Sequence, residues 1–221
     1  MLVSEHILRF YNQLEGDWKL PKGIDLIFPF EDELIQSFMD QFYSKYYSDK
    51  KNRTFLFGIN PGRLGAGITG IPFTDPVFLE SNCKIKNALP RKHELSSIFM
   101  YEMIAALGGP LKFYRKYYIS SVCPLGFTKE GKNYNYYDDD KLFKAVYDHI
   151  TQAVNYQTSQ FCNKEVAYSI GKGQNFKFFK HLNEKYKWFD EIIPLPHPRW
   201  VMQYKLKSKA IYIDEYVSKL S

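Results

Sequence analysis

A three-layer α/β/α protein, with helices on both faces of a central, mainly parallel four-stranded sheet, is the fold that the sequence predicts. Short apolar runs of strand length alternate with longer stretches of helical periodicity, the order that βαβ units require. Each apolar run also empties into a loop carrying glycine, proline or asparagine, as strands of such sheets do at their carboxyl ends. The 221 residues contain no linker and no shift in composition, so residues 1–221 are read as one domain with a substantial core.

Ser4 is read as the N-cap of a first helix, with Ile7, Leu8, Tyr11 and Leu14 on one face and Gly16 at its end. A second helix is expected from Glu31 to about Tyr47, burying Leu34, Ile35, Phe38, Phe42 and Tyr46. Thr54 to Ile59 is the first strand, apolar throughout as a strand covered on both faces must be. Ser96 or Ser97 begins a helix that runs to Leu107 and stops at Gly108-Gly109-Pro110. Lys116 to Val122 is the second strand. A long helix from about Asp138 to Tyr156 follows, with Asp138, Asp139 and Asp140 at its positive end. Glu165 to Ile170 is the third strand, and Gly171-Lys172-Gly173 leads from it into a helix from about Asn175 to Tyr186. Glu191 to Leu195 is the fourth strand, and Lys205 to Leu220 the terminal helix.

Composition narrows the partners. Lys plus Arg number 30 against 24 for Asp plus Glu, a net charge of +6, and aromatic residues make up 18% of the chain. A basic surface bearing exposed rings suits a polyanion that offers flat groups to stack on, and nucleic acid leads that class. The three cysteines, Cys83, Cys123 and Cys162, are far apart and form no C-x-x-C, which argues against a zinc site or an iron–sulfur cluster. Their odd count fits a reducing, cytoplasmic setting. Residues 1–11 have the pattern of an amphipathic helix, not a signal peptide, and no apolar run reaches the roughly 20 residues of a membrane span. No cofactor, metal or membrane is expected, and a monomer is the default.

Between Arg53 and Phe73 the first strand enters a loop holding Asn60, Pro61 and five glycines (Gly58, Gly62, Gly65, Gly67, Gly70). Such a loop lets backbone amides approach a ligand closely, because no Cβ intervenes. The fourth strand empties into Pro196-His197-Pro198-Arg199-Trp200. An amide and an imidazole at two strand ends point to one site assembled at the sheet's carboxyl edge. The sequence Gly58-Ile59-Asn60-Pro61-Gly62, followed by Thr69-Gly70-Ile71-Pro72-Phe73, Val122-Cys123-Pro124-Leu125 and His197-Pro198, resembles the single-strand-selective monofunctional branch of the uracil-DNA glycosylase superfamily. The matches keep the family's order over about two thirds of the chain and look like a divergent bacterial subgroup.

That resemblance implies hydrolysis of the N-glycosidic bond of uracil, or of another deaminated base such as xanthine, in DNA during base-excision repair. The departing base carries negative charge and the sugar becomes oxocarbenium-like, so a donor aimed at the base and a group that holds water at the sugar carbon are needed. His197 is assigned the first task and Asn60 the second. An amide orients water without taking its proton, which implies a slow to moderate, metal-free enzyme with no lyase step. By resemblance Phe73 is the stacking platform, Gly62 leaves room beside C5 of a pyrimidine, and the amide of Ile59 bonds the base. Arg199, Trp200 and Met202 in the loop after His197 are candidates for a wedge that fills the vacated stack. Gln203, Tyr204 and Lys205 are assigned phosphates beside it, as is Lys172 at a helix N-terminus. Two departures from the family stand out. Ser121 occupies the place of an asparagine that reads the base, so it either acts through water or shifts selectivity toward deaminated purines. Pro198-Arg199-Trp200 replaces the family's Pro-Ser-Pro-Arg. A catalytically idle module that grips nucleic acid or a nucleotide through the same loops is the alternative.

Overall fold

The computed structural model describes all of residues 1–221. In chain order the elements are α1 (Val3–Asn12), β1 (Ile24–Ile27), α2 (Glu33–Tyr46), β2 (Arg53–Gly58), α3 (Ala66–Thr69), α4 (Pro76–Ser81) and α5 (Leu95–Ala106). There follow α6 (Pro110–Lys116), β3 (Tyr117–Ser121), β4 (Gly126–Lys129), β5 (Lys132–Tyr134), α7 (Asp140–Phe161) and β6 (Cys162–Ile170). The chain ends with α8 (Gln174–Tyr186), β7 (Glu191–Leu195), α9 (Pro198–Tyr204) and α10 (Lys209–Leu220). No helix is long and apolar enough to cross a membrane.

Four strands form one parallel sheet in the order β3-β2-β6-β7, flanked by helices as expected. Side chains alternate between its faces. Phe55 and Phe57 on the central strand meet Phe161 of α7 and Phe179 of α8. Leu56 pairs with Tyr168, whose hydroxyl donates to the Lys219 carbonyl of α10, and α10 packs on α5 through Phe99 and Tyr216. Both faces are therefore covered, which is why the central strand reads as an unbroken apolar run. At its start Arg53, fully buried, donates through Nε to the Tyr114 carbonyl (2.9 Å) and through its guanidinium to Asp49 (2.9 and 3.0 Å).

Register decides where the loops emerge. Gly58 pairs with Ser121, and Ile170 with Leu195, so neighbouring strands stop level with one another. Three further backbone bonds carry the ladder beyond the strands: Val122 N–H to the Gly58 carbonyl, Cys123 N–H to that of Ile59, and Gly171 N–H to that of Leu195. Asn60, Val122-Cys123, Gly171-Lys172 and His197 consequently leave the sheet along a single edge.

A second sheet, antiparallel and not expected from the sequence, is formed by β1, β4 and β5. Its hairpin turns through Glu130 and Gly131, both at positive φ (52° and 69°), the conformation that two-residue hairpin loops require. Gly126 opens that hairpin, and a Cβ there would overlap the Pro61 carbonyl. Only glycine lets the hairpin lie against the Asn-Pro-Gly loop.

Several boundaries differ from expectation. Leu2, not Ser4, caps α1, and Ser4 is buried within it. Asp32 caps α2 by accepting from Leu34 and Ile35, which puts Leu34 in the outward first turn at 53% exposure, outside the expected buried stripe. Glu94 stands at the N-cap of α5, and Asp139 caps α7, which runs on to Phe161. Gly108-Gly109-Pro110 ends α5 but also starts α6, since proline is favoured in a first turn. The terminal segment breaks at a 3₁₀ turn, Leu206–Ser208. Arg199, Trp200, Met202, Gln203 and Tyr204 thus sit on the short helix α9, not in a loop.

Candidate functional site

Asn60 lies two residues beyond the end of β2, and its amide is held from both sides. The Nδ2 group donates to the carbonyls of Pro61 and Tyr134 (3.3 Å each), and Oδ1 accepts from the Tyr136 N–H (3.3 Å). Tyr134 closes β5, so the small sheet fixes the amide's orientation. An amide oxygen has two lone pairs, which leaves one free to hold a water molecule.

His197 follows β7 and serves as the N-cap of α9: its Nδ1 accepts from the Arg199 N–H at 3.2 Å. With Nδ1 an acceptor, the neutral ring carries its proton on Nε2. Burial, then the adjacent Arg199 guanidinium, lowers its pKa to about 4. His197 is partly exposed, but the Nδ1 bond independently requires the neutral form. The ring therefore offers an uncharged N–H donor at neutral pH. Gly171 lies against its other side, with the ring's Cδ2 3.7 Å from where a Cβ would stand.

Phe73 comes from the far end of the glycine loop. Its backbone has φ 53°, unusual for a bulky residue and characteristic of strained functional positions. The ring lies over Gly58, where a Cβ would come within 3.1 Å of Cε2 and 3.2 Å of Cζ. Its centroid is 6.3 Å from that of His197. Gly58 is thus a seat for the ring, a role that the sequence reading did not give it.

A cavity of about 300 Å³ brings these groups together. Ile59, Asn60, Gly62, Phe73, Ser121 and His197 all line it, and Arg199, Trp200, Gln203 and Tyr204 form its α9 wall. Met202 is absent from the lining and packs against the core instead. Lys205 caps the end of α9 with its Nζ 5.8 Å from the Trp200 ring centroid. Lys172 lies in a neighbouring groove on the far side of His197, beside Trp200 and Tyr212, and its ammonium is paired with Glu215 at 2.8 Å.

Of the wall residues that were not anticipated, Glu94 and Asn133 matter most. Both sit beside Gly62: a Cβ there would lie 3.3 Å from Asn133 Nδ2 and 3.6 Å from Glu94 Oε1. The room at Gly62 is therefore floored by a carboxyl and an amide. Burial raises the pKa of Glu94; the Ser97 hydroxyl and Arg199 oppose the shift, and Asp75 adds to it. Beyond Glu94 and Asn133 a second groove of about 320 Å³ carries Arg63, His93, Lys132 and Arg199, a positively charged approach to the cavity.

Comparison with known proteins identifies the family and the fold. Residues 44–221 match the model of the family described as the uracil DNA glycosylase superfamily. The wild-type SMUG2 protein of Pedobacter heparinus, known from its crystal structure, superposes with a TM-score of 0.96 at 44% sequence identity. The alignment covers 99% of this chain and 97% of that one. No curated protein sequence matches the chain.

Proposed function

The chain belongs to the uracil DNA glycosylase superfamily, and from that membership we propose that it is a monofunctional DNA glycosylase. It hydrolyses the N-glycosidic bond of uracil, and of a deaminated purine such as hypoxanthine or xanthine, in DNA. The observation that carries this reading is the convergence of Asn60 and His197, from loops after two different strands, on one cavity walled by Phe73.

An extruded base enters the cavity with one face on Phe73, at a cost of a few kcal/mol of unstacking and unpairing when it comes from a duplex. His197 gives its Nε2–H to the base oxygen on which charge develops. A neutral donor suits this task, because it strengthens its bond as the charge grows without holding the substrate too tightly beforehand. Asn60 offers the free lone pair of Oδ1 to a water molecule aimed at C1′. Neither group forms a covalent bond, so the products are free base and an abasic site. Ile59 and Ser121 bond the base edge. Trp200, 42% exposed at the rim, fills the gap left in the stack, with Arg199, Gln203, Tyr204 and Lys205 along the phosphates. Lys172 reaches a flanking phosphate after releasing Glu215, and the positive groove of Arg63 and Lys132 guides the strand in.

Purified protein incubated with oligonucleotides containing uracil, hypoxanthine or xanthine, then treated with alkali, provides the test. Strand scission at the modified base is expected for at least one of them. Binding to uracil-containing DNA without scission on any of the three would replace this reading with the idle binding module.

A further inference from the structure

We propose that Glu94 is the acid that protonates N7 of a deaminated purine held in the cavity, giving purines a leaving route that uracil does not need. The inference rests on the glycosylase reading, in which Gly62 borders the C5 edge of a bound pyrimidine. A purine attached through N9 presents N7 to the same wall, and that wall holds Glu94.

Glu94 is built into the cavity, not left at its edge. Its backbone N–H donates to Asp75 Oδ2 at 2.8 Å, and Asp75 is itself fully buried as the cap of α4. Although Glu94 stands at the N-cap of α5, its carboxyl accepts no backbone N–H there. It turns toward the glycine loop, where a Cβ on Gly65 would overlap Oε2, and it receives only the Ser97 hydroxyl at 3.3 Å. No cation lies within ion-pairing distance of it.

Burial, against mostly cationic neighbours, favours a retained proton on Glu94. Asp75 faces it from α4, Arg199 from α9 across the cavity, and His93, Arg63 and Lys132 line the adjoining groove. Burial outweighs the rest and raises its pKa. The two groups assigned to the reaction cannot supply a proton at neutral pH: Asn60 is an amide, and His197 is neutral and loses its only N–H reluctantly. Among the cavity's lining residues Glu94 is the one carboxyl.

The step balances as follows. The Glu94 carboxyl transfers its proton to N7. The C1′–N9 bond breaks with its electron pair passing to the purine, which leaves neutral. The water held by Asn60 adds its oxygen to C1′ and sheds a proton to solvent, from which the Glu94 carboxylate is reprotonated. Uracil has no N7 and leaves as an anion stabilised by His197, so its excision bypasses Glu94.

Single-turnover excision from single-stranded oligonucleotides carrying uracil, hypoxanthine or 7-deazahypoxanthine tests the assignment. General acid catalysis contributes about 10²–10⁴-fold, so Glu94→Gln, which keeps a hydrogen-bond donor but cannot transfer a proton, lowers the hypoxanthine-to-uracil rate ratio about 100-fold. The wild-type hypoxanthine rate falls as pH rises through the Glu94 titration, and that dependence is lost in Glu94→Gln. The wild-type protein leaves 7-deazahypoxanthine uncut, a measurement that needs no variant to fold. An unchanged ratio in Glu94→Gln, or cleavage of the 7-deaza substrate at the hypoxanthine rate, overturns the proposal. Uracil excision with no purine excision also overturns it and leaves the glycosylase reading standing; no excision of any base overturns that reading itself.

Discussion

Lowering the pH tests the His197 assignment directly, because the ring is held neutral by two features of the fold. Protonating Nδ1 would set an N–H against the Arg199 N–H that now donates to it, and burial beside the Arg199 guanidinium opposes the added charge. The pKa is lowered to about 4 against an ordinary 6.5. At pH 5.5 only about 3% of the ring is charged, where an ordinary histidine would be about 90% charged. Uracil excision under single-turnover conditions should therefore stay level from pH 8 down to about 5 and fall only below that. The linked effect on stability has a definite sign. The unfolded chain binds a proton on His197 below pH 6.5 and the folded chain does not, so stability is lost as pH falls from 6.5 toward 4. A shift of this size corresponds to at most about 3 kcal/mol, reduced by the part of the ring that meets water. Glu94 acts oppositely, since its raised pKa stabilises the fold at low pH, and comparing His197→Asn with the wild type isolates the histidine. An NMR titration of the His197 ring with a midpoint near 6.5, or an excision rate that breaks there, would refute the argument.

Asn60→Ala removes the water-holding oxygen while leaving the cavity walls in place. Excision should drop by about 10²–10³-fold, with DNA affinity measured by fluorescence anisotropy nearly unchanged. Gly58→Ala puts a methyl group 3.1–3.2 Å from the Phe73 ring and forces it a few tenths of an ångström into the cavity. About tenfold slower excision is expected, with little change in Tm, and an unaltered rate would show that the ring's seat is unimportant. Arg53→Met leaves the buried Tyr114 carbonyl unbonded and Asp49 without its partner. Because Asp49 keeps 36% of its side-chain surface exposed, the expected loss is about 2–3 kcal/mol by urea denaturation, below that of a fully buried pair.

Much of this arrangement is legible in the sequence, and the reasons differ by residue. β2 is a near-continuous apolar run because the sheet is covered on both of its faces there, and β7, a partly exposed edge strand, runs from Glu191 to Leu195 as read. Asn60, Phe73, Ser121 and His197 stand in or beside the loops where strands end, so topology alone assembles them. The small sheet was not legible: β5 reads Lys-Asn-Tyr, too short and polar to signal a strand. Only the Glu130-Gly131 turn hinted at it. Glu94 and Asn133 escaped for a related reason, since they come from a helix start and a hairpin and enter the cavity purely through tertiary packing. Met202 shows the converse error, a residue adjacent in sequence to the α9 wall whose helical position turns it to the core.

The identity of residue 60 as an amide follows from what surrounds it. Two carbonyl oxygens, of Pro61 and Tyr134, accept from its Nδ2, and both are backbone atoms that no side-chain change can remove. A carboxylate at this position would set an oxygen against those carbonyls and lose both bonds, so the docked hairpin selects asparagine over aspartate. That choice removes the group best able to take a proton from water. His197, fixed as the cap of α9, is equally unable to gain or lose one near neutral pH. On the glycosylase reading, uracil must then depart by charge stabilisation alone, which an anion of its kind tolerates. A purine also offers N7 to a proton donor, and the fold keeps one ionisable carboxyl in the cavity wall, opposite Arg199 and beside Gly62. The hairpin that locks Asn60 and the helix start that presents Glu94 thus divide orientation from proton transfer between two parts of the chain.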